Sequence, residues 1–149
     1  MVPIMRSRHF LPAAVLLLAM TGLPLLAHHS FEAEYDDKKP ISLKGTVAKL
    51  DWMNPHIFVH VDVKLENGKT ARWSCEGGNP NSLKRSGWTR TTLKEGDQIT
   101  IDGYRAKDGS NFCNARSVKL ADGSRVFAGS SSDGGPSSAA AGKVESLGK

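Results

Sequence analysis

The feature that most constrains the fold is a two-residue alternation in HIFVHVDVKL, residues 56–65. Apolar side chains at every second position fall on one face of an extended chain, so this segment is predicted to be a strand. The apolar face consists of Ile57, Val59, Val61 and Val63. The Asn67-Gly68 pair follows and favours a two-residue hairpin. KTARWSCE, residues 69–76, then returns as a third strand, which indicates antiparallel β-structure.

The same period appears before and after this hairpin. Further strands are predicted over residues 41–52, 97–106, 111–120 and 125–129. Between the third and fourth strands, residues 77–88 break the alternation, and Asn79 and Pro80 favour the start of a short helix. This order predicts an all-β fold, a small OB-like barrel of five to six strands with one short helix between strands three and four. A β-sandwich with a small helix is the alternative.

The first 27 residues have the layout of a secretory signal peptide, with two arginines before a short apolar core at residues 10–20. An uncleaved anchor is the alternative, but a spanning helix needs about 20 apolar residues and this run is interrupted. We therefore expect cleavage after Ala27, a mature chain that begins at His28, and no membrane span after cleavage. The protein is expected to be periplasmic or secreted.

The mature chain divides into three parts. Residues 28–40 are polar and predict an extended lead-in, and residues 41–128 form the barrel domain. Residues 129–149 are rich in Gly, Ser and Ala. Such a composition buries too little apolar surface to offset the entropy of ordering, so a disordered tail is predicted.

Charge makes nucleic acid a poor candidate partner. The chain has 20 basic and 15 acidic residues, a net charge of +5. Because Arg6 and Arg8 lie in the predicted signal peptide, the mature net charge is only about +3, and no basic block remains.

Cys75 and Cys113 are the two cysteines. An even count in an exported chain favours one disulfide, with thiolate metal ligands or a redox pair as alternatives. In OB topology the third and fifth strands are neighbours. Because these strands carry Cys75 and Cys113, the predicted strand order and a cross-strand disulfide support each other.

The histidines give the most concrete functional hypothesis. An N-terminal His28 offers its amine and imidazole to one cation, and His29 or His56 adds a further nitrogen, a set that suits copper(II) or a similar divalent ion. His56 and His60 lie roughly 13 Å apart along a strand, so one ion cannot readily join both. The Asn54-Pro55 bend favours His56. Alternatively, the strand histidines are ordinary polar residues and the His28-His29 pair is a tolerated flank of the cleavage site.

A second candidate site surrounds the predicted helix and would bind an envelope protein or a small ligand. Glycines after a strand let a backbone approach a ligand closely, and aromatic and arginine side chains favour recognition. The candidate residues are Glu76, Gly77, Gly78, Asn79, Trp88 and Arg90. The alternative is a cap that plugs the barrel with Leu83 and Trp88. Trp52 and Trp73 are interpreted as core residues.

Catalysis is not expected. The sequence contains no G-x-S-x-G, H-E-x-x-H or P-loop pattern. The spacing of Ser30, Ser74, Asp51 and Glu76 does not demand a catalytic triad.

Several short motifs occur together: AHHSF, W-x-N-P-H, E-G-G-x-P-N, G-W-T-R and G-Y-R-A-K-D-G-S. In combination they resemble a bacterial family of small exported proteins that carry a domain of unknown function. The resemblance spans about residues 27–130 and implies that His28, His29, His56, Glu76 and Arg90 lie in characteristic motifs. It implies no activity or cofactor. We therefore expect an exported, non-catalytic binding protein, with copper as the first candidate ligand and an envelope interaction module as the alternative.

Overall fold

The computed structural model describes residues 30–129 and 145–148. In this part of the chain, strands predominate and two short helices accompany them. In chain order the elements are α1 Ser30–Glu34, β1 Tyr35–Asp51, β2 Phe58–Lys64, β3 Thr70–Glu76, α2 Pro80–Arg85, β4 Gln98–Ala106, β5 Phe112–Leu120, β6 Arg125–Phe127 and β7 Glu145–Leu147.

The strands form one sheet whose pairings return to their starting point. β1 pairs antiparallel with β2, β2 antiparallel with β3, β3 parallel with β5, β5 antiparallel with β4, and β4 antiparallel with β1. β6 pairs with β5, and β7 pairs with β1. The third and fifth strands are therefore neighbours, and Cys75 lies directly opposite Cys113. Their sulfur atoms are 2.00 Å apart, at disulfide distance.

The alternation in β2 separates the core from the outer face of the sheet. The four predicted apolar residues at positions 57, 59, 61 and 63 are fully buried, while His56, Phe58, His60 and Asp62 are half-buried. Trp73 lies in the same core, and Trp52 is only partly buried against it. The outer face of β2 and β3 is thus the surface on which the polar candidate residues lie.

The β2–β3 hairpin differs from the predicted two-residue turn. The Leu65 N–H donates to the Lys69 carbonyl, so the loop contains three residues, and Gly68 at its end has a φ of 80°. A three-residue loop that ends in a left-handed glycine is also a common hairpin connection. As a result His60 lies opposite Ser74.

The lead-in at residues 28–40 is not simply extended, because α1 occupies residues 30–34 and β1 starts at Tyr35 and not at residue 41. The reason is a second apolar cluster formed by Phe31, Tyr35, Tyr104 and Ala106. The rings of Phe31 and Tyr104 meet edge to face with centroids 5.6 Å apart. This cluster fixes the start of the described chain to the outer face of β4.

Within the segment 129–149, for which the composition predicts disorder, residues 145–147 form β7. Leu147 packs against the main core, and this contact supplies the apolar burial that the composition of the tail obscured. Residues 130–144 lie outside the described residues, as do the predicted signal peptide and both His28 and His29.

Helix α2 follows the prediction, with the Asn79 side chain accepting a hydrogen bond from the Asn81 N–H at 2.8 Å. Over residues 30–129 and 145–148, neither helix has the length and apolar character that crossing a membrane requires.

Candidate functional site

His56 contacts a buried carboxylate. It precedes β2, and its Nδ1 lies against Oε1 of Glu76, the last residue of β3. An ionised carboxylate can only accept, so Nδ1 of His56 carries the proton and, in the neutral ring, Nε2 carries the lone pair. The His56 side chain is 24% exposed. Among residues 30–129 and 145–148 none hydrogen-bonds to Nε2 of His56, so the contact with Glu76 orients an imidazole nitrogen whose lone pair is unused in this part of the chain.

Tyr35 holds the other oxygen of the same carboxylate. Its hydroxyl donates to Glu76 Oε2 at 2.7 Å, and Glu76 is only 8% exposed. A buried carboxylate without such partners would be costly. Tyr35 and His56 together fix the position of Glu76, and the three side chains are called the Tyr35–Glu76–His56 cluster below.

Helix α1 is anchored beside this cluster by Phe31. The Arg116 guanidinium, itself 1% exposed, lies over the Phe31 ring with its carbon 4.9 Å from the ring centroid. Phe31 also contacts Tyr35, with ring centroids 5.8 Å apart. The described chain therefore begins next to the residue that holds Glu76.

His60 lies in a second polar network, in which both ring nitrogens are occupied. Nε2 lies 2.8 Å from Asp51 Oδ2 and Nδ1 lies 2.8 Å from Ser74 Oγ. Because Asp51 can only accept, Nε2 donates, and Nδ1 accepts from the hydroxyl of Ser74. Lys49 Nζ lies 2.6 Å from Asp51 Oδ1. The hydrogen bond from Lys49, followed by that from His60, holds the pKa of Asp51 below its ordinary value.

The connectivity Ser74–His60–Asp51 is that of a nucleophile, a base and an orienting carboxylate. Acyl transfer also needs donors that stabilise an oxyanion. The Ser74 N–H, the donor nearest in sequence, is already bonded to the Asn111 carbonyl at 3.0 Å. The network joins β1, β2 and β3 across the outer face of the sheet, and we interpret it as a structural contact.

The sequence predicted that Gly77 and Gly78 let a ligand approach the backbone closely. In the structure, other backbone segments of the same chain make this close approach. The Gly77 N–H donates to the Ile57 carbonyl at 2.9 Å, and the Gly78 N–H donates to the Ala128 carbonyl at 2.7 Å. A Cβ atom at Gly78 would lie 2.6 Å from the Gly129 carbonyl oxygen. Both glycines are buried, and their lack of a side chain leaves room for Ala128 and Gly129, which follow β6.

The remaining residues of the second predicted site divide between core and surface. Trp88 is 1% exposed and lies in the core with Leu83, which is the cap arrangement. Asn79 caps α2. Arg90 is exposed, and its guanidinium donates to the Trp52 carbonyl at 3.4 Å. Met53, which is 50% exposed, follows Trp52 directly. Of the six residues predicted for this site, only Arg90 is exposed, and it contacts Trp52, which the prediction did not include.

Of the three predicted metal ligands, the structure describes only His56. Within the two described ranges, no three His, Cys, Asp or Glu side chains converge as a metal-binding group. Tyr35 was not identified from the sequence. No local pattern marks it, because Tyr35 is the first residue of β1 and bonds to Glu76 across 41 residues of the chain.

In a comparison with protein families, residues 15–115 match a model described as a family of unknown function, DUF6152. Neither the curated proteins nor the solved structures gave a match to this chain.

Proposed function

Because the chain belongs to the family of unknown function DUF6152, we propose its function from its own contacts: it is an exported, non-catalytic protein that binds copper or a similar divalent metal ion. The ligands would be the amine and imidazole of His28 at the processed N-terminus, with His56 and His29 as further nitrogen donors. The contact between Glu76 and His56 is the observation that carries this proposal.

The cluster fits a nitrogen-ligated metal. Histidine ligands commonly donate the second ring N–H to a carboxylate, which fixes the tautomer and raises the basicity of the ligating nitrogen. Glu76 has this relation to His56, and it leaves Nε2 as the donor atom. Imidazole and amine nitrogens suit copper(II). Bound copper would supply a strong Lewis acid at this position.

The proposal that His28 and His56 share one ion is supported by the position of Phe31. Phe31 contacts Tyr35, which bonds to Glu76, which in turn contacts His56. His28 precedes Phe31 by three residues, and three residues span at most about 10 Å. The proposal therefore requires the residues before Phe31 to lead back toward His56, so that the amine of His28 and the imidazole of His56 share one ion.

The remaining parts of the proposal have separate support. The cyclic order of strand pairings supports an OB-like barrel. The apolar segment before Ala27 and the close cysteine pair support export to an oxidising compartment. The engaged N–H of Ser74 supports a role without catalysis.

The test is the intact mass of the exported protein, followed by copper(II) titration. We expect a chain that starts at His28 and binds one copper ion, and we expect a variant with Met ahead of His28 to lose most of this affinity. The extension removes the amine from the site but leaves the folded domain unchanged. Equal affinity in both chains, or an affinity no greater than that of a peptide of residues 28–34, would refute the proposal.

One observation favours the alternative function, an envelope interaction module. Tryptophan, methionine and arginine are enriched at protein interfaces, and exposed Arg90 donates to the carbonyl of Trp52, which directly precedes exposed Met53. If this surface docks a partner, cross-linking in cells from a photoreactive residue at position 53 should fall when Arg90→Ala is introduced. The Met extension ahead of His28 should leave that cross-link unchanged, which separates the two functions.

A further inference from the structure

The first half of β1 has an edge that β2 does not cover. β4 pairs with β1 from Pro40 to Thr46 on one side, whereas β2 pairs with β1 only from Thr46 onward. The backbone of residues 41–43 therefore has a second side that is available to another strand. Uncovered strand edges are templates for pairing with further chain segments.

In the structure the C-terminal segment of the same chain occupies this edge. β7 pairs in parallel, with Ile41 opposite Glu145 and Leu43 opposite Leu147. Leu147 packs against the main core. At Gly148, φ is 103° and a Cβ atom would collide with the Lys44 carbonyl, so this position favours glycine. The segment thus fits the edge through the contact of Leu147 with the core and the close approach of Gly148 to the Lys44 carbonyl.

The attachment is short and open on its other flank. Three residue pairs join β7 to β1. A cavity of about 420 Å³ separates β7 from the β2–β3 loop and is lined by Leu65, Glu66 and Asn67. The segment is thus joined to the edge over a short stretch only, and the cyclic pairings of β1 to β5 do not include it.

We propose that the β1 edge at residues 41–43 is a strand-acceptor site, and that its occupant in a dimer is the 145–148 segment of a second copy of this chain. The two segments are identical, so each edge accepts either one. Residues 130–144 connect the segment to the edge within one chain, so its effective concentration there is on the order of millimolar. Exchange between two copies therefore grows as the protein concentration approaches that value. Such exchange of an identical element is a low-cost route to a dimer.

The acceptor is tested with the full chain carrying Leu147→Ala, which weakens its own segment, and a synthetic peptide of residues 143–149. Amide NMR signals of residues 41–44 should shift saturably when the peptide is added. A peptide carrying the same substitution should bind at least about tenfold more weakly, because it lacks the apolar contact of Leu147. Absence of these shifts, or equal binding of both peptides, would overturn the proposal. If the Leu147→Ala chain is misfolded, Gly148→Val serves as the acceptor.

The second copy is tested by sedimentation of the unmodified full chain. Its dimer fraction should rise from micromolar to millimolar concentration, and Leu147→Ala should abolish the rise. A chain that stays monomeric throughout this range, or a dimer that Leu147→Ala leaves unchanged, would exclude exchange between copies.

Discussion

His56 and His60 lie four residues apart, outside the main core, and each contacts a carboxylate. The side chains are also exposed to nearly the same extent, 24% and 23%. They differ in the second ring nitrogen. In His60 that nitrogen accepts from Ser74, whereas within the described residues nothing hydrogen-bonds to Nε2 of His56.

This difference shows that the presence of a carboxylate does not by itself make a histidine a ligand. The lone pair of His60 is used in a cross-strand hydrogen bond, so binding a metal there would first break that bond. Binding a metal through the lone pair of His56 breaks no hydrogen bond within the described residues. Copper binding should therefore depend on His56 and be nearly independent of His60.

The most direct test of this difference between His56 and His60 is to remove each imidazole in turn. His56→Ala should lower copper affinity by about 100-fold or more, since even the outer-shell partner of a metal-bound histidine is commonly worth 10–100-fold. His60→Ala should change it by less than about threefold. The measurement is competitive copper titration of both variants, with circular dichroism to verify folding. A reversed order of the two losses would contradict the assignment of His56.

A finer test changes the carboxylates and leaves both histidines in place. Glu76→Gln removes the charge that polarises His56 and should lower copper affinity by about 10-fold to 100-fold. Asp51→Asn is the matched control at His60 and should leave the affinity unchanged. Titration of the two variants under identical conditions gives the comparison. Equal losses would mean that net charge, and not the orientation of His56, determines binding.

Tyr35→Phe should have a smaller effect on the same site. It removes the hydroxyl that bonds to Glu76 Oε2 while the ring stays in the apolar cluster. The net contribution of such a hydrogen bond to the free energy of unfolding is about 1.5–3 kcal/mol when one partner is charged. Urea denaturation should show a loss in this range together with a modest loss of copper affinity. An unchanged midpoint would show that the hydroxyl does not hold the carboxylate.

The alternation of apolar residues was enough to predict the main sheet, because burial of one face imposes a period of two on every strand that contributes to the core. It placed the core face of β2, and the OB-like strand order inferred from it made the strands of Cys75 and Cys113 neighbours. It could not fix the hairpin register, because Asn67-Gly68 is compatible with both two-residue and three-residue loops. One residue of register decides whether His60 faces Ser74 or Cys75.

The candidate site was predictable only in part. His56 and Glu76 were both selected from the sequence, but for different sites, since their contact joins positions 20 residues apart in the chain. Helix α1 is held by contacts of Phe31 with Tyr104 and Arg116, which lie in distant strands, so the polar composition of the lead-in obscured it. The C-terminal strand was missed for a similar reason, as three ordered residues do not alter the composition of a long tail.

The smallest expected effect concerns the pH dependence of the His60 network. Hydrogen bonds from Lys49 and then His60 hold the folded-state pKa of Asp51 below its ordinary value. Ionised Asp51 therefore stabilises the fold above the unfolded-state pKa of about 3.9, and this contribution disappears as the pH falls through the lowered folded-state value. Asp51→Asn should lower the melting temperature by a few degrees at neutral pH, and the difference from the unmodified chain should shrink below about pH 4. Asp37→Asn, at an exposed position of β1, controls for the change in net charge. A difference between the Asp51→Asn and unmodified chains that stays constant down to about pH 2 would show that the carboxylate of Asp51 does not stabilise the network through its charge.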